Sequence, residues 1–415
     1  SLHWESFALQ EAGRTSPLSF LEHAIDTDAD HTGKVQEAVV TLGHPLAPGA
    51  AVELAAFYSG EVRQSGERLE RIGAPTEQAE RADWDRIAPE GTALRGFGDV
   101  LWYPTAAAPV FLGDGAKLFK VAGETKRRDA GATVRLRLAV EYVGDAPDAA
   151  FFCGMREPLT AGRENAELPV ASAPGVATAT FPSRTLGFRV LSLFVTDRAA
   201  TTTADHLIAA VTDHYDALPS YAAAAAKVQP LLKDWLGAEP LTALNILDQD
   251  GQPFEDDSLL VARVRAIDSG ALAPSLVHSL THVWFRSSQE WLDEGVPQLM
   301  ALLWLERSEG REAALRQLQS KVNALALAEP APSADSSASE GQSLILATDE
   351  VYYRTKAAAV LWMLRSIVGD DALKHALQIY RSAGKDDEDP KAFQRVLEAS
   401  AKRDLGWFFD DWVYR

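Results

Sequence analysis

The feature that most constrains this chain is a change of hydrophobic period near residue 200. In Val134-Arg-Leu136-Arg-Leu138-Ala-Val140-Glu-Tyr142 an apolar residue stands at every second position, the period of a strand with one face buried and one wet. Similar alternation or β-rich composition recurs around Gln36 to Leu42, Val52 to Tyr58 and Leu186 to Val195, between Gly, Pro and Asp clusters that serve as turns. From about residue 205 the spacing becomes helical, beginning with His206 to His214 and the alanine-rich Tyr221 to Leu236. Leu244 to Leu247 and Ser258 to Val264 read as short strands, and nearly everything after them as helix. The pattern predicts an α+β multi-domain chain: an antiparallel β domain over residues 1–200, then a mainly helical domain over 205–415. The segment EPAPSADSSASEGQS, residues 329–343, has no apolar period and reads as a mobile surface loop.

Composition narrows the function classes. With 415 residues against ~100–200 per domain, two or three domains can each bury a core. No apolar run approaches the ~18 residues of a bilayer span, which excludes a membrane-spanning helix. A net charge of -19 repels a phosphate backbone, so nucleic acid is not an expected partner. The single cysteine, Cys153, cannot form an intrachain disulfide and reads as a buried strand residue without chemistry. The chain opens on Ser1 with no charged-then-apolar leader, which fits an exported form, secreted or periplasmic, whose signal has been removed.

Chemistry concentrates in Leu276-Val-His278-Ser-Leu-Thr-His282-Val-Trp-Phe and the following Trp291-Leu-Asp-Glu294-Gly. Residues four apart on an α-helix are separated by one turn plus about 40°, so His278 and His282 share a face and can bind one metal ion. Glu294, on a segment turning back across that helix, supplies an oxygen, and two His plus one Glu make a zinc set with one open position. The competing explanation is packing, because a chain with nine histidines shows an HxxxH spacing by chance roughly one time in five.

HxxxH, an aromatic pair and WLDEG together resemble the zinc segment of the gluzincin metallopeptidases, specifically the aminopeptidase N family, whose pattern is HExxH followed by a WLxEG helix. Trp102-Tyr-Pro104 resembles the WYP of their N-terminal β domain. Val351-Tyr-Tyr-Arg-Thr-Lys356 through Arg365 resembles their tyrosine-plus-lysine helix, and Leu405-Gly-Trp407 through Arg415 the end of their catalytic domain. These landmarks cover residues 102 to 415. The resemblance implies a thermolysin-like helical domain, one zinc ion on His278, His282 and Glu294, and a cleft for a peptide or protein segment. It also offers Tyr353 or Tyr352 as the tyrosine that stabilises an oxyanion.

The chain departs from that pattern at defined places. The family's general base directly follows the first histidine, where this chain has Ser279, and losing positioned acid–base help is worth ~10²–10⁴ in rate. Only eleven residues separate His282 from Glu294, fewer than the resemblance implies, which requires a tight turn around Arg286-Ser-Ser-Gln289. Ala301 stands where the family carries an acid that supports the first histidine. The strand that binds a substrate amino terminus is replaced by Gln252-Pro-Phe-Glu255-Asp256-Asp257, whose carboxylates could bind a cation. The family tyrosine falls two residues before the lysine, where this chain has Arg354. Pro297 predicts that Glu294 lies near a helix start.

Glu290 and Asp293 read as a solvated helix start, although they are the nearest acids that could replace the base. Trp284, Trp291, Trp362, Trp407 and Trp412 read as core, and the run Lys385 to Pro390 as a solvated loop before a helix. The favoured function is a divergent, zinc-binding aminopeptidase-like protein impaired in catalysis by Ser279. Its alternatives are an active zinc peptidase using metal alone or a relocated base, and a metal-free structural or interaction protein.

Overall fold

The computed structural model describes residues 2–11, 13–26, 34–89, 91–97, 100–106, 115–161, 175–203, 205–328, 343–381 and 388–414. β1 (Leu2–Glu11), β2 (Arg14–Asp26), β3 (Lys34–Thr41) and β4 (Glu53–Gly60) form an antiparallel sheet in the order β3-β2-β1-β4. Then come α1 (Glu67–Arg71), α2 (Thr76–Ala82), β5 (Arg86–Ala88), β6 (Gly91–Leu94) and α3 (Gly115–Asp129), helices that interrupt a region expected to be mostly strand. β7 (Thr133–Tyr142), β8 (Ala149–Phe152), β9 (Met155–Pro158), β10 (Thr160–Ala161), β11 (Gly175–Thr185) and β12 (Leu193–Thr196) complete two further sheets, ordered β10-β11-β7 and β5-β6-β12-β8-β9.

β7 has the alternating burial its sequence dictates, with Val134, Leu136, Leu138 and Val140 against a core that includes Phe152, Phe181 and Leu193. The strand expected over Leu186 to Val195 is confined to β12, whose four residues are all buried between β6 and β8.

The fourth sheet contains β13 (Thr201–Thr202) and β14 (Ile208–Val211), followed by helix α4 (Leu218–Leu236), β15 (Leu244–Asp248), β16 (Phe254–Asp256) and β17 (Leu259–Ala262), in the order β13-β14-β15-β17-β16. The helix expected over His206 to His214 is therefore corrected to strand. Its Leu-Ile-Ala-Ala-Val run is too short for periodicity to separate a buried strand from a buried helix, and parallel pairing with β15 decides the matter. α4 is the crossover between those parallel strands.

Helices follow: α5 (Ser269–Trp284), α6 (Glu290–Glu309), α7 (Arg311–Ala328), α8 (Glu350–Val368), α9 (Asp370–Tyr380), α10 (Ala392–Ala401) and α11 (Gly406–Phe409). α4, α5, α6, α8 and α9 enclose one large core that includes Trp235, Trp284, Trp291 and Trp362. Trp407 and Trp412, expected in that core, are 53% and 43% exposed, because α11 and the turn after it bury Phe408, Phe409 and Val413 instead. Among the described residues no helix is long and apolar enough to cross a membrane. Of the expected mobile loop, residues 329–342 lie outside the described residues, and Ser343 is buried with its Oγ donating to the Val413 carbonyl at 3.0 Å. Residues 385–387 of the acidic run also lie outside them.

α6 begins at Glu290, so Pro297 sits inside it and Glu294 one turn in. Gly295 lets α6 press against α8: a Cβ there would stand 2.7 Å from the Ala357 Cβ. Gly295→Ala is expected to destabilise the protein. Overpacking costs about 1–3 kcal/mol, more than the ~1 kcal/mol gained from alanine's helix propensity. A urea midpoint at or above that of the parent would show that the two helices separate freely.

Candidate metal centre

Asp268 starts α5 by accepting from the Gly270 and Ala271 amides at 2.8 and 3.2 Å, which fixes the helix that carries both histidines. One turn apart, the His278 and His282 rings lie 5.0 Å apart, centre to centre. Residues 285–289 then reverse the chain, and the Ser287 amide donates to Asp293 Oδ1 at 2.8 Å to hold that reversal. α6 consequently returns Glu294 to the histidines, with Oε2 3.5 Å from His278 Nε2 and Oε1 3.9 Å from His282 Nε2. Two atoms each about 2.0–2.1 Å from a tetrahedral zinc ion are ~3.4 Å apart, so this spacing suits one ion. Glu294 Oε2 is buried and paired with the Arg354 cation, whose Nε lies 2.9 Å away without a well-aligned hydrogen bond.

A second carboxylate approaches from the other side. β16 is an edge strand, and its Glu255 places Oε2 2.7 Å from His278 Nδ1 while Oε1 accepts the Ser279 hydroxyl. The donor atoms of Glu255, His278 and His282 all lie within 4.8 Å of one another. The 2.7 Å separation is nevertheless that of a hydrogen bond and shorter than two ligands on one ion would show. Glu255 thus stands behind His278, fixing the ring so that Nε2 faces Glu294. Ala301, in the place where the resemblance puts such a support, packs against the helical core.

The α8 residues divide among three tasks. Tyr353 lines the cleft, packs edge-on to Phe188 and donates to Glu290 Oε1 at 3.1 Å. Tyr352 is buried, and its hydroxyl accepts from Lys356 Nζ at 2.7 Å. Arg354 is the residue that reaches the histidines: Nε is 2.9 Å from Glu294 Oε2, Nη2 is 3.0 Å from His278 Nε2, and Nη1 donates to Glu350 at 2.7 Å. The cleft in front has a volume of about 940 Å³ and is bordered by Phe188, His282, Glu290, Glu294 and Tyr353.

Burial opposes charge on Glu255, but the His278 hydrogen bond and the nearby imidazoles hold its carboxyl down to about 2. Burial likewise pushes Glu294 up, and the Arg354 charge and His278 pull it far below the carboxylate range. For His278 burial lowers the pKa, while Glu255 and Glu294 outweigh it and raise it to about 9. An Arg354 N–H can be accepted only by an unprotonated Nε2, with the ring proton on Nδ1 against Glu255, and that arrangement competes with the imidazolium that Glu255 and Glu294 favour.

Glu290 and Asp293 stand at the helix start as expected but are half-buried there rather than freely solvated. Both line the cleft, and burial pushes Glu290 well above its ordinary range against the pull of Lys126 and raises Asp293 against that of His282. Cys153 is buried as expected, but it occupies the two-residue turn of the β8–β9 hairpin at φ 47°, and burial pushes its thiol up to about 12.

No protein-family profile matches the chain, and no curated protein matches it. Among solved structures it is similar to an M1 zinc metallopeptidase from Deinococcus radiodurans, with 16% identity, a TM-score of 0.47, and coverage of 100% of this chain and 84% of that one. A mutant of the M1 zinc metallopeptidase from that organism bound to a Tyr-Ser-Ala substrate gives 15% identity and a TM-score of 0.47, again over 100% and 84%. A two-domain M1 zinc metallopeptidase mutant bound to L-arginine gives 17%, 0.48 and the same coverage. Similarity at this level assigns no role to any residue.

Proposed function

We propose that this chain is a divergent gluzincin-like protein that binds one zinc ion through His278, His282 and Glu294 and holds a peptide or protein segment in the cleft, without turning it over as a complete peptidase would. The observation that carries the proposal is the convergence of those three side chains beside the cleft, which His282 and Glu294 border, while the adjoining Ser279 hydroxyl is committed to Glu255. When bound, zinc would supply Lewis acidity. The chain's own residues orient and gate: Glu255 fixes the His278 ring, Tyr353 and Glu290 present a hydrogen-bonded pair to the cleft, and Phe188 offers an apolar wall. Among the described residues, no position adjoining the histidines in sequence carries a carboxylate base, and Glu255 already holds His278 and Ser279.

Protein equilibrated with excess zinc and then freed of unbound metal is expected to retain about one ion per chain by elemental analysis. His278→Ala and His282→Ala should each abolish that stoichiometry, and the loaded parent should leave short peptides uncleaved. No retained zinc in the parent would end the metal reading. Rapid, chelator-sensitive peptide turnover would end the claim of impaired catalysis.

A further inference from the structure

We infer that Arg354 is a built-in competitor of the metal, its guanidinium lying against the His278 nitrogen and paired with the Glu294 carboxylate that a zinc ion would take; this rests on the zinc reading above and adds a regulation of that site. Nη2 lies 3.0 Å from His278 Nε2 and Nε 2.9 Å from Glu294 Oε2, so one planar cation spans two of the three expected ligands. An sp² imidazole nitrogen has a single lone pair. It accepts the Arg354 N–H, carries a proton or binds a metal at about 2.0–2.1 Å, and these states exclude one another. His282 and Glu294 border the cleft whereas His278 is not among its lining residues, and Arg354, which does line it, lies 3.0 Å from His278 Nε2.

The guanidinium is anchored from behind as well. Nη1 donates to Glu350, one turn earlier on α8, at 2.7 Å, so Arg354 is held over the ligands by its own helix. The packing of α6 on α8 at Gly295 and Ala357 brings Glu294 and Arg354 together. Metal entry therefore requires the Arg354 side chain to rotate out, toward Glu350 and the cleft. The site then has two closed states of similar charge balance, one with an arginine cation on Glu294 and one with a divalent ion. The protein can pass between them as free zinc changes.

The test is a zinc titration of the full chain, comparing the parent with Arg354→Met, Arg354→Lys and Lys126→Met. Calorimetry is paired with the Arg354 Nε–H resonance. Arg354→Met is expected to bind zinc at least ~30-fold more tightly, because the ion no longer displaces a cation. Arg354→Lys, which cannot fork across both ligands and serves if the methionine variant folds poorly, should bind ~3- to 10-fold more tightly. Lys126→Met removes a cleft cation that does not touch the ligands and should change affinity less than ~3-fold. In the parent, saturating zinc should move the Arg354 Nε–H signal to that of a solvated arginine. Equal affinities in parent and both Arg354 variants, with an unmoved signal, would overturn the competition and leave the zinc reading standing. A gain in Lys126→Met equal to that in Arg354→Met would overturn it in favour of a general field effect. No binding in any protein would overturn both the competition and the zinc reading.

Discussion

Asp257→Asn is expected to lower the free energy of unfolding by about 3–5 kcal/mol, the largest loss foreseen for a single charge removal in this chain. Asp257 is 5% exposed and accepts Arg189 Nη1 on Oδ2 at 2.8 Å, while Arg286 Nη2 lies 2.8 Å from Oδ1. It thus ties three segments together: the stretch before β12, the β16–β17 turn and the α5–α6 connection. Removing the charge deprives Arg189, whose side chain is 24% exposed, of its closest counter-charge. Asparagine is the informative substitute because Asp257 has φ 59°, a left-handed conformation that asparagine tolerates and alanine does not. The turn is also pressed by its neighbour, since a Cβ on Gly154 would stand 2.2 Å from the Asp256 carbonyl oxygen. Burial raises the Asp257 carboxyl, but Arg189 and Arg286 lower it further, so its stabilisation is complete above the unfolded value of ~3.9 and fades as pH falls through the folded one. The asparagine variant should lack that acid-sensitive increment. Glu77→Ala breaks a 2.5 Å contact between side chains 62% and 78% exposed and should cost less than ~1 kcal/mol. Urea denaturation of the two variants compares them directly, and a small loss for Asp257→Asn would mean that solvent reaches the cluster.

What the sequence discloses about the fold follows the range of the forces involved. β7 was legible because alternation is written in consecutive residues, and α4 because its alanine-rich run from Tyr221 favours helix strongly enough to carry Pro230. β14 was misread because four apolar residues carry no usable period, and its parallel partner lies beyond a whole helix. The three-residue strand β16 left no pattern at all, although it carries Glu255. Trp407 and Trp412 misled because tryptophan's size suggests burial, whereas here Phe408, Phe409 and Val413 take the buried positions of the segment.

The same division runs through the candidate site. His278 and His282 are four residues apart on one helix, so their shared face follows from helical geometry alone. Glu294 could be placed because its segment resembles a known one. Glu255 and Arg354 meet Ser279 and His278 across 24 and 76 residues, and no local pattern predicts such encounters. Arg354 did carry a signal, since it occupies the position where the resemblance calls for tyrosine, but only the packing of α8 on α6 shows which way it points. Glu290 and Asp293 look solvated because acids at a helix start usually are. Here the first turn of α6 faces the cleft beneath Tyr353, and burial keeps both carboxyls toward their neutral forms.

Ser279→Glu, the substitution that would restore the HExxH pattern, is expected to destabilise the protein by about 2–4 kcal/mol and to leave peptide turnover where it was. Ser279 is buried, and its hydroxyl donates to Glu255, so a new side chain would need room already filled and would bring one carboxylate against another. Glu255 cannot retreat without releasing His278 Nδ1, 2.7 Å away. Combining the substitution with Glu255→Gln, which keeps an acceptor for His278 but removes the charge, should recover at least ~1 kcal/mol of the loss, a favourable coupling measurable in a double-mutant cycle. Ser279→Ala should cost about 1.5–3 kcal/mol through loss of a hydrogen bond to a charged group, with no change in turnover. A stable Ser279→Glu protein whose turnover rose by ~10²–10⁴ would show that the general base was the only missing part and that Glu255 does not hold its place. The expected outcome means instead that the serine and the β16 carboxylate form one interlocked arrangement, in which the loss of the base cannot be reversed at a single position.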